Sequence, residues 1–114
     1  MNLETKKLLF DIQQAAQHIV EYTKFMDYEG FCAHGMAQAA VERKFEIIGE
    51  ALNRIARTES AVLELITDYR RIIDFRNMIA HGYDIVDTEI MWEAIQDHLP
   101  VLIRVVTDLL KNAP

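Results

Sequence analysis

From Leu3 to Met26 the apolar side chains Leu8, Ile12, Ala15, Ala16, Ile19, Tyr22 and Met26 recur at spacings of three and four. That spacing lines up one face of an α-helix, so a long first helix is expected. The periodicity lapses in "DYEGFCAHG", residues 27–35, where Gly30 and Gly35 mark a connection. Val41, Phe45, Ile48, Leu52 and Ile55 then form a second stripe, with Arg43, Lys44, Arg54 and Arg57 mostly off it, which predicts a helix over 36–57. Thr58 or Ser60 is placed to cap a third helix with a buried face of Val62, Ile66, Tyr69, Ile72 and Ile73, which Gly82 ends. Asp87 is suited to cap a fourth, with Glu89 near the positive end of its dipole and Ile90, Met91, Ala94 and Ile95 facing inward. Trp92 lies at the edge of that stripe. Pro100 breaks or kinks the run, and Val101 to Leu110 form a last helical segment. Short connections make neighbouring helices antiparallel. The expected fold is therefore all-α, an up-and-down four-helix bundle with a short fifth helix.

Composition agrees with this pattern. A chain of 114 residues, 51% hydrophobic and 26% charged, is the size of one globular domain, taken as 1–114. Four glycines and two prolines are too few for the many turns of an all-β fold. The opening "MNLETKKLLFDIQQ" has no secretory h-region, and nowhere do 18 uncharged apolar residues run together. A soluble cytoplasmic protein with no membrane partner is expected. Cys32 is the single cysteine and reads as a reduced, inert thiol.

The net charge of −6 argues against a generic nucleic-acid binder, and no DNA partner is expected. Its distribution is uneven. Residues 1–34 carry −2, residues 35–82 balance, residues 83–114 carry −4, and every arginine except Arg104 falls in the balanced middle segment. A local positive cleft is compatible with that middle segment.

Several chemistries can be set aside. No Glu-x-x-His precedes any of the four histidines, there is no His-Glu-x-x-His helix, and no glycine loop could cradle phosphate, so neither metal nor cofactor is expected. His18, His34 and His98 are isolated from other ligands and read as surface or capping residues: His18 on a helix, His34 in a connection, His98 at a helix C-terminus. Glu50, between Gly49 and Ala51, reads as a solvated rim carboxylate in preference to a partner for an arginine across the bundle.

The octet "RNMIAHGY", residues 76–83, stands apart. The stripe through Tyr69, Ile72 and Ile73 runs on into Arg76, which must then face a neighbouring helix or another subunit, a symmetry mate being the favoured explanation. A guanidinium there needs an anion, and Asp74 lies on a different face. Arg76 and His81 are separated by about 7.5 Å of rise and about 140° of turn in an ideal helix, too far apart to grip one small group. Gly82 permits a left-handed conformation that unwinds the last turn and frees His81 and Tyr83 to swing toward one face. A two-fold axis near this helix end would bring two copies together by another route. An imidazole can take a proton from a ribose 2′-hydroxyl or give one to a leaving 5′-oxygen, while a guanidinium holds the phosphate. The same parts would serve to bind a nucleotide without cutting it.

"RNMIAHGY" resembles the signature of the HEPN superfamily, Arg, four residues, then His, in the extended form of the HepT-like ribonuclease toxins, where Tyr follows two places later. Arg76, His81 and Tyr83 match that form, and Asn77 fits the polar residue beside the arginine. "FEIIGEALNRI", "YRRIIDFRNMIAHGYDIVD" and Trp92 before "DHLP" extend the resemblance over residues 38–105. The resemblance implies a homodimer with paired motifs in one cleft, acting on RNA as a metal-independent endoribonuclease toxin of a type VII-like pair. Its implied partner is a minimal nucleotidyltransferase antitoxin that moves AMP from ATP onto the motif tyrosine. Arg76 and His81 would then be catalytic, Tyr83 the AMP acceptor, and Asn77 and Gly82 supporting. Two other readings stay open. One is a non-catalytic helical subunit that pairs with a nucleotidyltransferase and binds nucleotide or phosphate; the other is a plain dimerisation bundle.

Overall fold

The computed structural model describes residues 1–80 and 87–112, and for residues 77–80 the backbone alone. Every regular element among them is helical: α1 (Leu3–Thr23), α2 (Tyr28–Cys32), α3 (Gly35–Thr58), α4 (Ser60–Leu63), α5 (Tyr69–Ala80), α6 (Thr88–Glu93), a π-helical turn at Ala94–His98, and α7 (Leu99–Asn112). The core lies where α3 packs against both α1 and α5, with α7 closing over α1. Leu9, Ile12, Ala16 and Ile19 of α1 and Val41, Ile48, Leu52 and Ile55 of α3 are fully buried, as their spacing requires. Tyr22, expected on the first stripe, is 40% exposed, because the buried face runs from Ile19 to Thr23, one position further round.

Three departures from the expected elements have local causes. The connection over 27–35 contains α2, nucleated by the Asp27 carboxylate, which accepts from Gly30 N at 2.8 Å. Phe31 of α2 is completely buried and meets the half-buried Trp92 ring at 5.3 Å, fixing α2 against α6.

The expected third helix is two helices. Glu59, not Thr58 or Ser60, occupies the cap position of α4 and makes no side-chain cap bond there, while the Thr58 hydroxyl donates back to Arg54 O within α3. Between α4 and α5 the chain bends so that Ile66 enters the core, and Asp68 takes a left-handed conformation, φ 62°, that aspartate tolerates better than most residues. Ile66, Thr67 and Asp68 are also weak helix formers, so little helix stability is lost at the break.

Asp87 caps α6 as expected, accepting from Glu89 N at 2.8 Å. Met91 and Ile95 are buried, but Ile90 is 43% exposed, one helical position too far round. Pro100 causes no break. Its ring would collide with the carbonyl four residues back in a regular helix. The preceding π turn, in which Leu99 N donates to Ala94 O five residues back, widens the helix where that collision would fall, and α7 continues through the proline.

Candidate functional site

The geometry around Arg76 begins with a glycine. Gly49 lies inside α3, where glycine costs about 1 kcal/mol relative to alanine, so its presence needs a reason. A Cβ built on Gly49 would overlap Cβ and Cγ of Arg76. The missing side chain is what lets α5 lay the arginine stem directly on α3. The apolar stripe that runs into Arg76 is therefore covered by α3 of the same chain, and no symmetry mate is needed to account for its burial.

The next residue supplies the anion. Arg76 Nη2 donates to Glu50 Oε2 at 3.1 Å, and Arg57 Nη2 stands 4.0 Å from the other carboxylate oxygen. The Arg76 side chain is 27% exposed and that of Glu50 50%, so the pair bridges core and solvent. Glu50 is thus exposed at the rim, as expected from the sequence, and is also the partner for an arginine across the helix pair. The signal was present as a glycine next to a carboxylate on a stripe edge, but spacing alone does not say which arginine they meet.

Arg76 lines a cavity of about 380 Å³ between α1, α3 and α5. Arg43 and Arg54 line it too, along with Asp11, Glu46 and Glu50. Arg43 is bound to Glu46 at 3.3 Å, and Arg54 faces Glu4 at 3.7 Å. Arginines do gather here, as their place in the middle of the chain allowed. Among the described residues, however, carboxylates match them in number, so the cavity is a mixed-charge cleft and not a positive one. Such a cleft holds guanidiniums in fixed poses while lowering its pull on polyanions at large.

His81, Gly82 and Tyr83 lie outside the described residues, as does the side chain of Asn77. The other histidines are placed. His18 is exposed and stacks near Tyr22 at 6.1 Å. His34 is a working cap whose Nδ1 accepts from Ala37 N at 3.1 Å, opening α3. His98 closes the π turn as its last residue, where the helix runs on into α7, with its side chain only 17% exposed. Among the described residues, no group of three or more His, Cys, Asp or Glu side chains is arranged to hold a metal ion. No helix among them is long and apolar enough to cross a membrane.

Comparison with known proteins bears on this cleft. The model of the HepT-like ribonuclease family matches residues 12–109, which takes in α3, α5 and the whole "RNMIAHGY" segment. The chain belongs to the HepT-like ribonuclease family. A protein of Methanocaldococcus jannaschii named as a candidate RNase is 30% identical over 97 residues, covering 85% of this chain and 88% of its own length. One of Thermococcus cleftensis named as a candidate ribonuclease HepT is 31% identical over 102 residues, covering 90% and 92%. A candidate RNase of Caldanaerobacter subterraneus subsp. tengcongensis is 28% identical over 101 residues, covering 89% of each. No solved structure matches the chain. In this HepT-like chain, Arg76 is the residue of "RNMIAHGY" whose side chain is described, and Gly49 and Glu50 are what it packs on and pairs with.

Proposed function

We propose that this protein is a metal-independent endoribonuclease toxin that works as a homodimer. The observation that carries the proposal is the setting of Arg76, the first residue of the motif. In a HepT-like chain it is seated over Gly49, held by Glu50 and turned to the wall of an open cleft. Arg76 holds the scissile phosphate and stabilises the charge that develops on it. The ribose 2′-oxygen attacks phosphorus, the bond to the 5′-oxygen breaks, and the products are a 2′,3′-cyclic phosphate and a 5′-hydroxyl. His81 moves the proton between the attacking and leaving oxygens. Asn77 and Gly82 support the helix end.

The partner is a minimal nucleotidyltransferase antitoxin. The Tyr83 oxygen attacks the α-phosphorus of ATP, pyrophosphate leaves, the phenolic proton goes to solvent, and the AMP group on Tyr83 fills the cleft with an anion that repels the RNA backbone.

The test is incubation of the purified protein with RNA in chelator, beside Arg76→Ala and His81→Ala. Cleavage in the parent and its loss in both variants is the expected result. Cleavage that persists in both variants removes the assignment. A parent that binds RNA or nucleotide and never cuts leaves the non-catalytic subunit as the function. After co-expression with the antitoxin, mass spectrometry should find AMP on Tyr83, and an unmodified tyrosine in an inhibited complex would mean neutralisation by docking alone.

A further inference from the structure

A second cavity, of about 330 Å³, opens between α3, α5 and the α6 to α7 segment, with Phe45, Ile72 and Phe75 in its walls and Arg71, Glu93 and His98 at its polar edge. That volume is at the lower end of the roughly 300–1,000 Å³ typical of small-molecule sites. The Phe45 and Phe75 rings meet edge to face at 4.9 Å, which fixes an aromatic wall. Neighbouring residues serve the two cavities: Phe45 and Phe75 line this one, Glu46 and Arg76 the other. Ile72 and Arg76 are four residues apart on one face of α5, about 6 Å along its axis. The walls of the two cavities are therefore adjacent along α3 and α5.

The polar edge narrows what can enter. A guanidinium can only donate, so His98 Nε2 is the acceptor for Arg71 Nη1 at 3.3 Å, and its Nδ1 faces Asp68 Oδ2 at 3.7 Å. Glu93 Oε1 lies 3.7 Å from the same Nε2. A donor fork and an acceptor carboxylate thus stand side by side around one imidazole. With one guanidinium against the Glu93 and Asp68 carboxylates, this edge does not favour an anion. It suits a neutral planar group that both donates and accepts. Among the four RNA bases, guanine alone has two adjacent donors, N1–H and N2–H, for a carboxylate, and two adjacent acceptors, O6 and N7, for an arginine fork.

We propose that this cavity is a guanine subsite for a nucleotide flanking the one whose phosphate Arg76 holds, a role that rests on the ribonuclease reading above. Glu93 accepts from the N1 and N2 edge, Arg71 donates to O6 and N7, and the base lies against Phe45 and Phe75.

Two measurements test it. Cut-site profiles on random-sequence RNA should show guanine enriched at one position beside the cut, by about tenfold, with the enrichment lost in Arg71→Ala and Glu93→Gln. Guanosine, which has no phosphate, should shift the NMR signals of Ile72 and Ala94 in the parent and not in Glu93→Gln. A parent that binds guanosine and cuts no RNA keeps the subsite and removes the ribonuclease reading. A parent that cuts RNA with the same profile in both variants and ignores guanosine removes the subsite. Equal shifts from adenosine, cytidine or uridine overturn the choice of guanine, and guanosine binding that disappears as protein concentration rises assigns the cavity to a second copy of the chain.

Discussion

Two glutamates, Glu50 within α3 and Glu59 just past its end, make an instructive pair. Glu59, at the C-terminal end of the helix, accepts from the backbone amide of Asn2 at 2.7 Å and from the Thr5 hydroxyl at 3.0 Å, with the N-terminal ammonium 3.9 Å away. It satisfies donors at the start of α1 that the helix itself leaves without partners, so its role follows from the fold. Glu50 meets guanidiniums instead. Nothing in the packing of α3 on α5 calls for an arginine at 76: an aliphatic side chain would cover the same stripe. A glycine and a carboxylate seat this charge, which is the arrangement expected under the ribonuclease reading proposed above. The first corner ties α1 to the end of α3, and the second pairs α3 with α5 at one arginine.

The sharpest way to break that contrast is Arg76→Ala. RNA cleavage should fall by about 10²–10³-fold, the range for losing one transition-state donor, with the thermal midpoint little changed. Arg76→Lys should recover little, since an ammonium cannot reproduce the planar fork. Unchanged cleavage in either variant would place Arg76 with the structural residues.

Gly49→Ala should come next, because the added methyl forces α3 and α5 apart at the arginine stem. Overpacking of this kind costs about 1–3 kcal/mol, and calorimetry beside a cleavage assay should find both stability and activity reduced. A variant with native stability and native activity would mean that the close approach is incidental.

Glu50→Ala should be milder. The carboxylate is half-exposed, so releasing Arg76 should lower kcat by roughly fivefold at most, and Glu50→Gln should restore much of it because its amide oxygen still accepts from Nη2. An Ala variant whose deficit lies wholly in stability would erase the distinction between the two glutamates.

The smallest effect belongs to Glu59 and shows only with pH. The Asn2 amide first, then the Thr5 hydroxyl and the N-terminal charge, hold its carboxyl below the ordinary value of 4.5. A lowered folded pKa means that its stabilisation is present above the ordinary value and disappears as pH falls through the lowered one. Thermal midpoints of the parent and Glu59→Gln should therefore differ at pH 7 and converge as acidification carries the solution through the lowered pKa. A constant gap across that window would show that the bond, not the charge, matters.

Much of this molecule could be read along the chain. The stripes of α1 and α3 are regular enough that periodicity alone located them, and the Asp87 cap stood where a short carboxylate precedes an apolar run. The break at residues 64–68 could not be read that way, because Val62, Ile66 and Tyr69 keep helical spacing across it. Burial of Ile66 by a chain turn satisfies the same pattern as burial by a continuous helix. The Pro100 kink was overestimated for a related reason: a π turn upstream absorbs the clash, and no spacing announces it.

The site divides in the same manner. The sequence by itself determined the all-helical class and the motif of Arg76, His81 and Tyr83, because periodicity and local motifs depend on residues a few positions apart. Only the tertiary structure decided that Arg76 rests on Gly49, that Glu50 is its anion, and that Arg71, Glu93 and His98 share one opening. Those partners lie between 5 and 27 positions apart, and all five pairs join different elements; they meet because burying the apolar stripes sets how the helices pack.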